Sequence, residues 1–186
     1  MHPLFETEPP VRKPPRIAMR VWAICAAVLL LPSISVWAVR VTALSLSCTP
    51  GSDICHGLYL GGFMRAALNI AWFVAGNTFL ALMIGFAASI AALFARRPLL
   101  AGLSVLLLPL GALMLPKYAV AASTYRGCPV NDAGIGDCLL WGSHMGMSFH
   151  RAAFVPGLVY DMFPYGFALA IMVGVIGFIF CRGRDA

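Results

Sequence analysis

The residues best equipped for chemistry in this chain are four cysteines held in two polar passages. Cys48 and Cys55 lie in Ser45–Gly57, "SLSCTPGSDICHG", and Cys128 and Cys138 lie in a later passage of similar character. A thiolate attacks disulfides and binds soft metals, whereas paired cysteines in an oxidising compartment cross-link loops. Four cysteines allow three connectivities, and spacing does not choose among them. Pairing within each passage is geometrically reasonable, because Thr49-Pro50-Gly51-Ser52-Asp53 and Asn131-Asp132-Ala133-Gly134 are turn formers that fold each pair back on itself. Pairing between passages would tie the first half of the chain to the second. Spacings this wide usually belong to structural bonds. If the thiols exchange instead, a nearby positive group would favour the attacking thiolate, and His56 and Arg65 are the candidates.

A second constellation is "LLWGSHMGMSFHRAAFV". His144, Met145, Met147 and His150 are soft ligands of a kind that suits copper(I), which would make the chain an extracytoplasmic copper-binding protein. On a helix, His144, Met147 and Arg151 share one side, while Trp141, Met145, Phe149 and Ala153 recur every fourth residue on another. That pattern favours a plainer reading, an amphipathic helix in the membrane interface with Trp141 and Phe149 dipping into lipid and Arg151 pointing to water. No H-E-x-x-H or C-x-x-C pair supports zinc.

The elements that must position these groups follow from the charges. The 186-residue chain is 61% hydrophobic and 11% charged, well away from a soluble domain. No Asp, Glu, Lys or Arg occurs in Val21–Val39, Ala66–Ala95, Pro98–Pro116 or Met162–Cys181. Each run is long enough, at about 1.5 Å per residue, to cross a hydrocarbon core of roughly 30 Å. The runs lack the alternation of barrel strands, so helices must satisfy the backbone inside lipid. The expected fold is an all-α membrane protein, a four-helix transmembrane bundle over residues 17–186 behind a Pro-rich cytoplasmic tail, residues 1–16. Spans are expected at 18–39, 66–95, 98–120 and 162–181, with cysteine-bearing outer loops 40–65 and 121–161 and the short interfacial helix in the second of these. The run at 66–95 exceeds what one crossing needs, so its start should project from the bilayer or the helix should tilt.

Orientation follows from the basic residues. Arg12, Lys13, Arg16 and Arg20, then Arg96 and Arg97, then Arg182 and Arg184, fall on one side, close to span ends; Arg40, Arg65, Lys117, Arg126 and Arg151 fall on the other. Excess positive charge marks the cytoplasmic side, so both termini are expected in the cytoplasm of a cell with a bacterial-type inner membrane, and both cysteine pairs outside. The first span is too long for a cleaved signal. The net charge of +6 is then an orientation signal, with no motif for nucleic acid behind it.

Polar groups within the spans are few. Asn69, Asn77 and Thr78 are expected to bond across helices. Small residues recur at Ala67, Ala71 and Ala75, at Ala81, Gly85 and Ser89, and at Gly166, Ala170 and Gly174, which predicts close packing of the second span on the fourth, or of either on a partner. Pro109 should kink the third span. The spans carry no acidic residue or His, so proton or ion relays lack their usual groups.

Four spans with both ends inside and a cysteine pair in each of two outer loops resemble the DsbB family of quinone-coupled disulfide oxidoreductases. The likeness extends to Gly136-Asp137-Cys138 followed by an apolar, interfacial segment. The chain departs from that family at its first pair, which is C-x6-C in place of C-x-x-C, and at the following arginine, Arg65, ten residues past Cys55. The resemblance implies a quinone and a soluble thiol partner: Cys48–Cys55 would relay electrons near the membrane, Cys128–Cys138 would meet the partner, and Arg65 or His56 would face the quinone head group. The alternative is a non-catalytic accessory or assembly subunit of a larger membrane complex, its loops held by structural disulfides.

Overall fold

A computed structural model describes residues 16–48, 55, 58–123, 128 and 138–182, without the side chains of the last two. Six helices and one small hairpin follow in order: α1 (Arg16–Ser45), α2 (Leu60–Gly76), α3 (Thr78–Phe94), α4 (Pro98–Ala121), β1 (Leu139–Leu140), β2 (Ser143–His144), α5 (Gly146–Ala153) and α6 (Val155–Arg182). Three helices, α1, α4 and α6, are long and apolar enough to cross a membrane, and α2 with α3 makes a fourth if that bent pair is counted as one span. The tail ahead of Arg16 lies outside the described residues.

The largest departure from the sequence reading is in the second apolar run. In place of one helix over 66–95, two helices of 17 residues each meet at Asn77, with a 78° bend between them. The cause is local. Asn77 adopts an extended backbone, and its side-chain oxygen accepts from Leu80 N at 3.1 Å. An asparagine in that position offers the new helix an N-cap that a hydrophobic residue could not. Asn77 therefore breaks the helix instead of bonding to a neighbouring one. α2 also begins at Leu60, six residues before the charge-free run, so part of the expected first loop is helix.

The helices are joined around α4, which touches α1, α2, α3, α5 and α6. Four side-chain hydrogen bonds tie α1 to α4 and its end. Trp22 Nε1 donates to Ser104 Oγ (2.8 Å), Ser33 Oγ to the Ala112 carbonyl (3.0 Å), Trp37 Nε1 to the Leu115 carbonyl (2.8 Å), and Arg40 to Ser123 Oγ (2.8 Å). Both helices ascend through these pairs, so they run in the same direction. The Ser33 bond has a clear origin. Pro116 has no N–H, which leaves the carbonyl four residues back, that of Ala112, without its helical donor. Ser33, fully buried, supplies one.

Small residues set the remaining contacts, though not between the expected spans. A Cβ on Gly85 of α3 would stand 2.9 Å from the buried ring of Pro109, so the glycine lets α3 close on α4 there. α4 runs as one helix through both Pro109 and Pro116. On α6, Ala170 lies beside Gly102 of α4, Gly166 faces Leu106 of α4 and Leu82 of α3, and Gly177 rests on Leu93 and Pro98. The second and fourth spans thus meet only lightly: the second packs on both the first and the third, and the fourth chiefly on the third. These registers make α3 and α6 antiparallel to α4. They also gather the basic ends: Arg16 and Arg20 with Arg96 and Arg97 close one end of the molecule, away from Arg40, Lys117 and Arg151.

Candidate functional site

The end opposite that basic cluster is a cap built on two disulfides. α1 stops in a C-terminal turn in which Ser47 takes the left-handed conformation (φ 53°), Ser47 N donates to Leu44 O (3.0 Å) and Cys48 N to Ala43 O (2.9 Å). This paired closure is the usual way a chain leaves a helix sharply, and it presents Cys48 beside Cys55, Cα to Cα 5.5 Å, where the two are bonded. Leu58 N donates back to Cys55 O (2.8 Å), leading directly into α2. Cys128 is bonded to Cys138, with Cα atoms 4.7 Å apart. Of the three connectivities left open by the sequence, the structure has the one local to each passage. The turn residues 49–54 and 131–134, and the candidate His56, lie outside the described residues.

From Cys138 the chain makes the β1–β2 hairpin, pairing Leu139 with His144 and Leu140 with Ser143. Met145 N closes it by donating to Cys138 O (2.7 Å). The two turn residues, Trp141 (φ 46°) and Gly142 (φ 81°), are both left-handed, the conformation a two-residue hairpin turn demands. Tryptophan is an unusual occupant of the first position, and it is there because its side chain is buried beneath the cap (3% exposed). Gly61, near the start of α2, allows the approach: its N–H donates to the Trp141 carbonyl (3.2 Å), and a Cβ there would stand 2.6 Å from that oxygen and run into the Leu140 carbonyl.

α5 completes the cap, and here the lipid-facing expectation is corrected. Trp141, Met145 and Phe149 are buried inside the protein, in one core with Met64, Leu68 and Trp72 of α2 and with Cys55, Cys128 and Cys138. The i, i+4 spacing picked out Trp141, Met145 and Phe149 correctly as a buried set, but not on one helix, since Trp141 is in the hairpin turn and α5 begins only at Gly146. The neighbour also differs, because α2's apolar face begins in residues read as loop. Polar bonds fix the contact: Ser148 Oγ donates to Asn69 Oδ1 (3.1 Å), and Trp72 Nε1 donates to Ser148 O (3.0 Å). Asn69 thus does bond across helices. Arg151 is exposed, as expected.

The soft-ligand set is not drawn onto one surface. His144 and Met147 are exposed, Met145 is fully buried, and the ring of His150 stands edge-on to Phe154 at 5.0 Å. Among the described residues no group of three or more His, Cys, Asp or Glu is placed to hold a metal ion.

Residue burial separates the two disulfides. Cys128 and Cys138 are each 1% exposed and Cys55 3%, whereas Cys48 is only half-buried. Arg65 is exposed on α2, one turn past Gly61. Comparison with protein families, with characterised proteins and with solved structures finds no match to this chain. The geometry of the cap therefore carries the functional argument. Residues that sequence reasoning missed are Gly61, Gly142 and Ser148; the two glycines sit in "LGGF" and "LWGS", short glycine-marked breaks in apolar runs that signal close backbone approach or a turn.

Proposed function

We propose that this chain is a four-span membrane protein acting as a non-catalytic accessory or assembly subunit of a larger membrane complex, with an extracytoplasmic cap locked by two structural disulfides. The alternating directions of α1, α3, α4 and α6 support four crossings. The gathering of Arg16, Arg20, Arg96 and Arg97 at one end supports cytoplasmic termini in a bacterial-type inner membrane, since such residues are held on the inner side. On this reading α2 belongs to the outer interface. Its Leu60, Met64, Leu68, Ala71 and Ala75 face the core, Arg65 and Asn69 are exposed on one flank, and Phe63, Ile70 and Phe73 on the other, as suits a helix with water above and lipid below.

The single observation that carries the structural role of the disulfides is their burial. Exchange begins with a thiolate reaching a sulfur atom, and three of the four cysteines are 3% exposed or less. The described strands of the cap are only two residues long, and cross-links are a means by which so small a hairpin is held.

One observation favours a second reading. Cys48 is the less buried member of its pair, so a thiol–disulfide oxidoreductase of the quinone-coupled kind would engage its soluble thiol partner at Cys48, in place of the buried Cys128–Cys138 pair to which the resemblance gives that role. The two readings part on redox state. Cells quenched in acid and alkylated, with and without prior reduction, report the fraction of each pair that is ever reduced. The subunit reading expects none and no mixed disulfide in a Cys55→Ser chain. A steady reduced fraction of Cys48 and Cys55, or a partner trapped on Cys48, would replace it with the oxidoreductase.

A further inference from the structure

The basic end of the molecule holds a cavity of about 370 Å³ between α3 and α6. Leu93, Phe94, Ile176 and Phe180 give it apolar walls, Gly177 lies at its base, and Arg96 lines its mouth. Gly177 is buried, and a side chain there would strike Leu93 and Pro98, so the glycine keeps α6 close to the α3–α4 turn and shapes the cavity.

Arg96 is the informative residue. α3 ends with Arg96 N donating to Leu93 O (2.9 Å) and Arg97 N to Ala92 O (3.0 Å). The residue at this place in such a turn is left-handed, and Arg96 has φ 59°. Glycine is the usual occupant, because a Cβ is unfavourable there. A long cation held in a glycine's position, at the lip of an apolar groove, is a local cost without a structural return. Its charge at a helix C-terminus is favourable, but Arg97 beside it already supplies that. Arg96 is exposed and no carboxylate pairs with it among the described residues. The one described acidic residue, Asp161, lies toward the other end of α6.

We propose that this groove binds one anionic phospholipid, its phosphate on the Arg96 guanidinium and an acyl chain along Leu93, Phe94, Ile176 and Phe180. A guanidinium gives a phosphate two parallel N–H donors, and basic pockets between helices at the cytoplasmic side of a membrane are suited to acidic head groups. The apolar walls select a lipid over a free phosphate, which would leave them exposed. Arg97, Arg16 and Arg20 at the same end add attraction without contacting the groove.

The test uses the whole chain purified in mild detergent, titrated with phosphatidylglycerol and followed by native mass spectrometry. One phosphatidylglycerol per chain should be retained in preference to phosphatidylcholine. Arg96→Gly fits the left-handed turn better than arginine does, so the variant should stay folded, with unchanged or higher thermal stability, while retention falls about fivefold, the factor expected for losing one basic side chain at an anionic surface. Arg97→Gln, which alters charge outside the groove, should lower retention less. Equal retention of both lipids overturns the proposal, as does an unchanged Arg96→Gly chain or an equal loss in Arg97→Gln. Competition by millimolar inorganic phosphate would also overturn it, by showing a site for the free ion.

Discussion

Ser33 and Pro116 offer a direct check on how the first and third spans are joined. Ser33 Oγ donates to the Ala112 carbonyl at 3.0 Å, and both residues are fully buried. Pro116 removes the donor that an ordinary helix would aim at that carbonyl. Replacing Ser33 with Ala leaves a buried acceptor with no partner. Interhelical hydrogen bonds in membrane proteins contribute about 0.6 kcal/mol on average and up to roughly 1.7 kcal/mol, and this one belongs near the upper end because its acceptor has no alternative; a loss of about 1 kcal/mol is expected. Pro116→Ala restores an N–H four residues after Ala112. In that background the Ser33→Ala change should cost only a few tenths of a kcal/mol, giving a coupling of about 0.5–1 kcal/mol between two residues on different helices. Trp37→Phe serves as the control. Its acceptor, the Leu115 carbonyl, keeps a helical donor at Ala119, so it should not couple to Pro116. The assay is equilibrium unfolding in mixed micelles, followed by circular dichroism, for the wild-type chain, each single variant and the double variants. Equal cost of Ser33→Ala in both backgrounds, or equal coupling for Trp37, would refute the reasoning.

The cap and the helix break are testable in the same way. Converting Cys128 and Cys138 together to Ser opens a link with a sequence separation of 10, and Cys48 with Cys55 one of 7; chain entropy gives about 2.5 kcal/mol for each, to be read as a drop in thermal stability, with full reduction of the wild-type protein giving the sum of the two. Gly61→Ala puts a methyl group against two carbonyls of the hairpin turn and should cost about 1–3 kcal/mol, visible as faster hydrogen exchange in β1, β2 and α5. Asn77→Ala removes the cap of α3 and should cost about 1 kcal/mol, largely recovered in Asn77→Ser, which can also cap; thermal melts of the three chains decide it.

Much of this architecture is legible in the sequence because lipid imposes few solutions. Gaps between charges mark the apolar helices, and the flanking arginines foretell which ends come together. The turn formers make local pairing of Cys48 with Cys55 and of Cys128 with Cys138 reasonable, but the sequence leaves three connectivities open and the structure supplies the choice. The bend at Asn77 is harder to see. A lone asparagine in an apolar run serves equally as a bond to a neighbouring helix or as a cap for a new one, and only the backbone decides. The burial of Trp141 and Phe149 is hidden for a related reason: Gly61, Gly62 and Arg65 make the start of α2 read as loop, so the face that covers α5 is not evident. The partnership of Ser33 with Ala112 depends on a proline in another span, a pairing that only the register of α1 on α4 reveals.

The sidedness of the cysteines is the measurement closest to the centre of the account. In sealed spheroplasts, single cysteines introduced at exposed positions of the cap beside each bond, Ser45→Cys and Met147→Cys, should both be labelled from the outside by a membrane-impermeant maleimide. Labelling of one from outside and the other only after lysis would place the disulfides on opposite faces and remove the shared cap on which the proposed role rests.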